Sequence, residues 1–226
     1  VSRTDRLGFA HRGGAAHGPD NTLDTFVEAL RRGARGLETD AWVTADGVVV
    51  LDHDGVLRAA RRRRQPIAQV RRDQLPAHVP TLEELYRRCG TDIDLAIDVS
   101  SAAIAVAVAE VATRHGAAER LWLVSPHSGR LVNVPGACRA VTVRGEALRG
   151  PRRRDALRAI RDAGMDAVNA RWPWWTRRSV EEVHTLGMRA FAYDCQHAVT
   201  LRRALDLDVD AVFSDHVDLM LAALQA

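Results

Sequence analysis

Residues 93–124 read IDLAIDVSSAAIAVAVAEVATRHGAAERLWLV. The opening run, 93–98, is short and apolar with branched side chains. Residues 102–115 then carry apolar side chains at helical spacing, and 121–124 form a second short apolar run. This is a strand, a helix and another strand, the unit from which parallel sheets are built. The alternation continues in both directions. Strands are expected at 7–10, 36–41, 93–98, 121–124, 138–143, 167–170, 188–193 and 211–214. Helices are expected at 22–32, 82–88, 102–115, a short one near 128–132, and at 155–163, 178–186, 198–205 and 216–224. Eight such units fit an α/β fold of the closed (β/α)8 TIM-barrel type better than an open sheet.

Two segments break the rhythm. Within 42–51, the turn signal Ala45-Asp46-Gly47 precedes the apolar Val48-Val49-Val50, which reads as a hairpin extending the second strand. Residues 55–80 lack a clear period and read as a small insertion after that strand. The insertion is too short for a second domain, so residues 1–226 are expected to form one domain.

Composition bounds the function. Hydrophobic residues make up 46% of the 226 and charged residues 27%, which suits a buried core and not a disordered chain. The net charge of +3 is too small for a nucleic-acid-binding field. All 32 basic residues are arginine, a bias expected of a GC-rich bacterial genome, so the runs 61–64 and 152–154 read as solvated faces. Cys89, Cys138 and Cys195 are odd in number and far apart, giving neither a disulfide framework nor a zinc pattern. No run is long and apolar enough for stable membrane insertion. Arg3, Asp5 and Arg6 interrupt the opening residues, so no secretory signal is read and a cytoplasmic location is the expectation. An upstream segment would leave secretion open.

In a TIM barrel the chemistry lies at the C-terminal ends of the strands. There the chain offers His11-Arg12-Gly13, Glu38 and Asp40, His53-Asp54, Asp98, Ser125, Arg144, Asn169, Arg171, Asp194 and Asp215. Glu38 and Asp40 are two apart on a strand and share a face. If that face is the lumen, two like charges lie side by side, an arrangement that is costly unless they are protonated or bridged by a cation. If it is the outer face, they pair with arginines. Asp98 from the adjacent strand adds a third carboxylate. Three carboxylates without a thiolate suit a hard divalent metal ion, Mg²⁺ or Ca²⁺. His11 and His53 arise in different segments but reach one mouth, where two imidazoles can act as base and acid. His17, His127 and His216 also lie near it.

These residues fall in ordered motifs. They are His11-Arg12-Gly13-Gly14, Pro19-Asp20-Asn21-Thr22, Gly36-Leu37-Glu38-Thr39-Asp40, Asp46-Gly47, His53-Asp54 and Val79-Pro80-Thr81-Leu82-Glu83-Glu84-Leu85. Val209-Asp210-Ala211-Val212-Phe213-Ser214-Asp215 follows near the end. The set resembles the glycerophosphodiester phosphodiesterase family, most densely over residues 9–98. That resemblance implies a (β/α)8 barrel with an insertion after the second strand. It also implies metal-dependent hydrolysis of a glycerophosphodiester-like small molecule to a phosphomonoester and an alcohol. Carried over, His11 and His53 are the acid/base pair, Glu38, Asp40 and Asp98 hold the metal, and Arg12 meets the phosphate. Asp20 and Asn21 support the first loop.

One departure bears on function. The family's third-strand motif is usually E-x-K, whereas this chain has Asp98-Val99-Ser100. Aspartate occurs at this step in the related spider-venom sphingomyelinase D group, but serine removes a cation. Arg144 or Arg171 would compensate; otherwise the barrel is slowed, altered in substrate, or a binding protein. A lyase releasing a cyclic phosphate, as in the venom group, is the enzymatic alternative. Three of the five tryptophans lie in Arg171-Trp172-Pro173-Trp174-Trp175. Trp172 and Trp174 read as an aromatic wall for an apolar, aryl or choline-like group, as an interfacial anchor, or as rim packing.

Overall fold

The computed structural model describes residues 6–58, 64–131 and 136–226. In chain order the strands are β1 (Leu7–Ala10), β2 (Gly36–Val43), β3 (Val49–Leu51), β4 (Val56–Arg58), β5 (Arg64–Pro66) and β6 (Asp94–Val99). They continue as β7 (Leu121–Ser125), β8 (Cys138–Val143), β9 (Ala167–Arg171), β10 (Arg189–Tyr193) and β11 (Ala211–Ser214). The helices are α1 (Leu23–Arg31), α2 (Leu82–Cys89), α3 (Ala102–Arg114), α4 (Gly145–Arg149), α5 (Arg153–Asp162), α6 (Arg177–Thr185), α7 (Ala198–Asp206) and α8 (Val217–Gln225).

β1 pairs in parallel with both β2 and β11, and β6 to β10 link those two in unbroken parallel order. The eight strands therefore close into a (β/α)8 barrel. Alternate residues divide the two faces, as the pleat requires. Leu37, Leu95, Ile97, Leu121 and Leu123 pack outward with α1, α2 and α3 residues such as Phe26, Leu85 and Val108. Val168, Ala190, Ala192 and Val212 pack against residues of α6 to α8, including Val180, Leu201 and Met220. The opposite parity fills the lumen with Phe9, Ala96, Trp122, Val124, Phe191 and Phe213. Phe9 stacks on Phe213 at 4.7 Å, and Trp122 meets Phe191 edge-on at 4.8 Å. The lumen is thus a solid aromatic plug with a polar layer above it.

The start of α2 follows its sequence signal. Thr81 caps α2 by accepting from Glu84 N at 3.0 Å, while Glu84 Oε2 accepts from Thr81 N at 2.8 Å. This reciprocal capping box is the physical content of the Thr81-Leu82-Glu83-Glu84 motif. The hairpin expected at 42–51 forms, with Trp42 opposite Val50 in an antiparallel pair. The insertion holds more structure than its irregular pattern suggested. It contains the β4–β5 ribbon, and its Ile67, Val70, Leu75 and Val79 form a satellite core with Val50 of β3.

The short helix expected near 128–132 needs correction. Ser128–Arg130 is a single 3-10 turn, and Val132 lies outside the described residues, as do Arg61, Arg62 and Arg63. Small, flexible and polar residues at Ser128, Gly129 and Arg130 supply no apolar stripe to hold a longer helix against the barrel. Conversely, α4 was not foreseen, being a one-turn segment too short for a period to show.

Candidate active site

The loop leaving β1 is folded tightly over the barrel mouth. Arg12, Gly13 and Gly14 adopt φ of 51°, 82° and 84°, all left-handed. A Cβ on Gly13 would lie 2.9 Å from Phe26 Cδ1, and one on Gly14 would lie 2.7 Å from Val217 Cγ2. Only glycine fits at both positions. The strained Arg12 backbone is held by its N–H, which donates to Glu38 Oε2 at 2.9 Å. Asn21 N donates to Arg12 O at 3.0 Å, and Asn21 Oδ1 accepts from Thr39 Oγ1 at 2.7 Å. Asn21, itself left-handed at φ 54°, thereby ties the loop to β2.

Glu38 and Asp40 face the lumen, not the outer wall, and Asp98 is the direct cross-strand partner of Asp40. One oxygen from each of the three lies within 4.8 Å of the others. Burial, reinforced by neighbouring carboxylates, pushes each of them up to about 7. Asp40 Oδ2 is buried without a hydrogen-bond partner. Three clustered hard oxygen donors with an orphaned buried oxygen fit a divalent cation, which would offset their repulsion.

His11 stands beside this trio. Its Nδ1 meets Asp215 Oδ1 at 2.5 Å, and its Nε2 lies 3.8 Å from Glu38 Oε2. Burial alone would lower its pKa, but Glu38 and Asp215 together lift it to about 9. Asp215 is itself fixed by its backbone N–H, which donates to Gln196 Oε1 at 2.9 Å. The sequence reading named Asp215 as a strand-end residue without giving it a role, and it passed over Gln196. His53 is exposed, bonded through Nδ1 to Asp54 at 3.0 Å, and close enough to Asp40 to favour its charged form.

The remaining candidates are dispersed. Arg12 Nη1 donates to Asp20 Oδ2 at 3.4 Å, and its Nε lies 4.0 Å from Asp40 Oδ2. Arg171 is engaged with Asp194 at 2.6 Å. Ser100 is exposed just beyond β6. Arg144 and Trp174 line a separate open groove of about 690 Å³ beside α4. Trp172 packs partly buried against the α6–α8 side of the core, and Trp175 is buried with its indole N–H donating to Phe191 O at 2.9 Å. His17 has a buried, unpartnered Nε2, and His216 stands at the N-cap position of α8, next to Asp215, without a side-chain cap bond. His127 follows β7, its backbone N–H donating to Ser125 Oγ at 3.4 Å. The central cavity, about 310 Å³, is lined by His11, Glu38 and Asp98 on one side and by Val124, Pro126, Thr142, Asn169, Tyr193 and Phe213 on the others.

Known proteins resemble this chain in sequence and fold. Residues 11–219 match the model of the glycerophosphoryl diester phosphodiesterase family. A Mycobacterium tuberculosis protein named "Probable glycerophosphodiester phosphodiesterase 2" is 29% identical, over 95% of this chain and 89% of its own length. Glycerophosphodiester phosphodiesterase 1 of Homo sapiens is 33% identical over 38% of this chain, which spans 31% of that protein's length. Among solved structures, the glycerophosphodiester phosphodiesterase of Thermotoga maritima superposes with a TM-score of 0.82 at 21% identity, covering 96% of this chain and 97% of that one. An Oleispira antarctica phosphodiesterase in complex with its product sn-glycerol-3-phosphate also gives 0.82, at 19% identity and 97% coverage of both chains. Among the described residues no helix is long and apolar enough to cross a membrane. With its barrel, its clustered carboxylates and a family match spanning nearly its whole length, the chain is a phosphoric diester hydrolase and belongs to the glycerophosphoryl diester phosphodiesterase family.

Proposed function

We propose that the protein hydrolyses a glycerophosphodiester-like substrate with a divalent cation, Mg²⁺ or Ca²⁺, held by Glu38, Asp40 and Asp98, and with His11 and His53 as general acid and base. The observation that carries this reading is the carboxylate trio lying directly beside Nε2 of His11. A divalent cation held there by Glu38, Asp40 and Asp98 would supply Lewis-acid stabilisation of the phosphate's charge. His11 exchanges its proton at Nε2, because Nδ1 is committed to Asp215. One histidine takes the proton of the attacking water and the other delivers a proton to the departing alcohol oxygen. Arg12 brings a guanidinium to the rim of the trio, where it contributes positive charge to phosphate binding, with Asp20 and Asn21 holding its loop. Arg144 and Trp174 border a separate groove and Arg171 is held by Asp194, so these side chains and Trp172 would meet only a bulky substituent reaching beyond the central cavity. Ser100 leaves the third strand end neutral, so phosphate binding leans on Arg12 and the cation.

Turnover of a phosphodiester panel, followed by phosphorus NMR, tests the reading. Exhaustive EDTA treatment abolishes activity, and Mg²⁺ or Ca²⁺ restores it. The phosphorus product is an acyclic monoester. Undiminished turnover in EDTA would sink the metal assignment, and a cyclic phosphate would replace hydrolysis with intramolecular attack.

A further inference from the structure

The groove beside α4 is a second concavity on the catalytic face of the barrel. It begins at Arg144, just beyond Thr142 of the central cavity, yet the two linings share no residue. Its walls come from α4, the link from α4 to α5, and the turn after β9. Gly150 sets the bend of that link, since an added Cβ would lie 2.7 Å from Glu146 O. The bend brings Arg152 round to the same groove as Arg144 and Arg149. The volume of about 690 Å³ falls within the usual range for small-molecule sites, roughly 300–1,000 Å³.

The charge in this groove is one-sided. Arg149 donates through Nε to Trp174 O at 3.2 Å and through Nη2 to Pro173 O, carbonyls that fix its position without neutralising it. Among the described residues Arg144 and Arg152 pair with no carboxylate, whereas Arg153 and Arg154 are both taken by Glu182. Three guanidiniums are thus set against a single carboxylate, Glu146, with apolar surface from Trp174 and Pro151.

We infer that this groove is a second anion site that takes a phosphomonoester, the class of product the hydrolase releases, and holds it beside the mouth. The inference rests on the hydrolytic reading for the ligand's origin and on the groove's own charge for its chemistry. The double positive excess matches a phosphomonoester, which carries nearly two negative charges above its second ionisation at about pH 6. A carboxylate or a diester carries one charge and leaves a cation unmatched. Guanidinium forks suit phosphate oxygens, and the indole of Trp174 covers the ester's organic part.

The test is calorimetric titration of the full-length, metal-loaded protein with phenyl phosphate at pH 8, repeated after EDTA. Binding at the carboxylate trio depends on the cation, so the binding that survives EDTA belongs to the groove. Arg152→Glu and Arg144→Gln each weaken the surviving binding by roughly 10-fold or more, as loss of a charge-assisted contact does. Methyl phenyl phosphate, a diester with the same ring, binds the EDTA-treated protein at least roughly 10-fold more weakly than the monoester. Binding that disappears entirely with the metal overturns the inference and leaves hydrolysis standing. Binding unchanged in both variants, or equal for monoester and diester, overturns it too. If circular dichroism shows Arg152→Glu to be unfolded, Arg144→Gln decides by the same criterion. Co-sedimentation with phosphatidic acid vesicles, without binding of free phenyl phosphate, assigns the groove to a membrane surface and overturns it. EDTA-resistant, variant-sensitive binding in a protein that turns over no diester supports the site and overturns the hydrolytic reading alone.

Discussion

His11 and Asp215 are 204 positions apart and meet at 2.5 Å. The contact fixes the imidazole's rotation and tautomer, and with Glu38 it holds the ring's pKa near 9 against the lowering effect of burial. Asp215→Asn keeps the shape and removes the charge. His11 should then titrate at lower pH, read by NMR of the ring, and kcat should fall roughly 10- to 100-fold, the usual scale for losing an orienting partner. His11→Ala and His53→Ala should each lose at least roughly 10²-fold in kcat; near-wild-type rates in either variant would count against the pair. Spacing put Glu38 and Asp40 on one face without saying which, and strand-end position with the family resemblance singled out His11, His53 and Asp98 as their companions. Asp215 was not legible as a partner, since its contact exists only once β11 closes on β1. Asn169 was named only as a strand-end residue without a role, and Thr142, beside it in the cavity wall, was passed over because neither carries a charge.

Two elements shape the mouth: the glycine loop after β1 and the tryptophan loop after β9. Gly14→Ala places a methyl 2.7 Å from Val217 at a φ of 84°. Left-handed strain costs about 1–3 kcal/mol, and relief requires the loop to lift, carrying His11 and the Arg12 N–H away from Glu38. Both the melting temperature and kcat should drop; a variant with wild-type kcat would show that the loop is only scaffolding. Trp174 lies over Gly145, where an added Cβ would meet its Cδ1 at 3.1 Å, and it borders the groove with Arg144, not the central cavity. Trp174→Ala should therefore weaken any preference for aryl or choline-like diesters and leave small diesters little affected, as a substrate panel would read. The eight strands were legible because each is a compact apolar run, and most helices because their stripes persist for two turns or more. The insertion was not: β4 and β5 are three residues each, shorter than any period can declare, and the buried residues that follow them, Ile67, Val70, Leu75 and Val79, are scattered in sequence and cluster with Val50 of the hairpin.

Across the molecule the buried charges set a pH dependence. Glu38, Asp40 and Asp98 rise to about 7 from ordinary values of 4.5, 3.8 and 3.8. A folded pKa above the unfolded one gives stability that is complete below the unfolded value and lost as pH climbs through the folded one. His11, raised from 6.5 to about 9, has the same sign and extends the loss upward. Glu182, pulled down to about 2 chiefly by its hydrogen bonds from Arg153, acts in the opposite sense, but only in strong acid. The metal-free protein should thus melt at progressively lower temperature from pH 5 to pH 9. A divalent cation should restore the loss at pH 8 by binding the deprotonated trio. Melts in EDTA and in Mg²⁺ or Ca²⁺ read this directly, and a flat metal-free profile would contradict it. The aromatic plug of Phe9, Trp122, Phe191 and Phe213 has a kinetic consequence. Among the described residues it closes the floor of the reaction chamber like the bottom of a well. Both fragments of a cleaved diester leave by the opening through which the next substrate arrives. The monoester keeps the charge that the site binds, so it should compete with incoming substrate, and turnover should slow as it accumulates even while substrate remains plentiful.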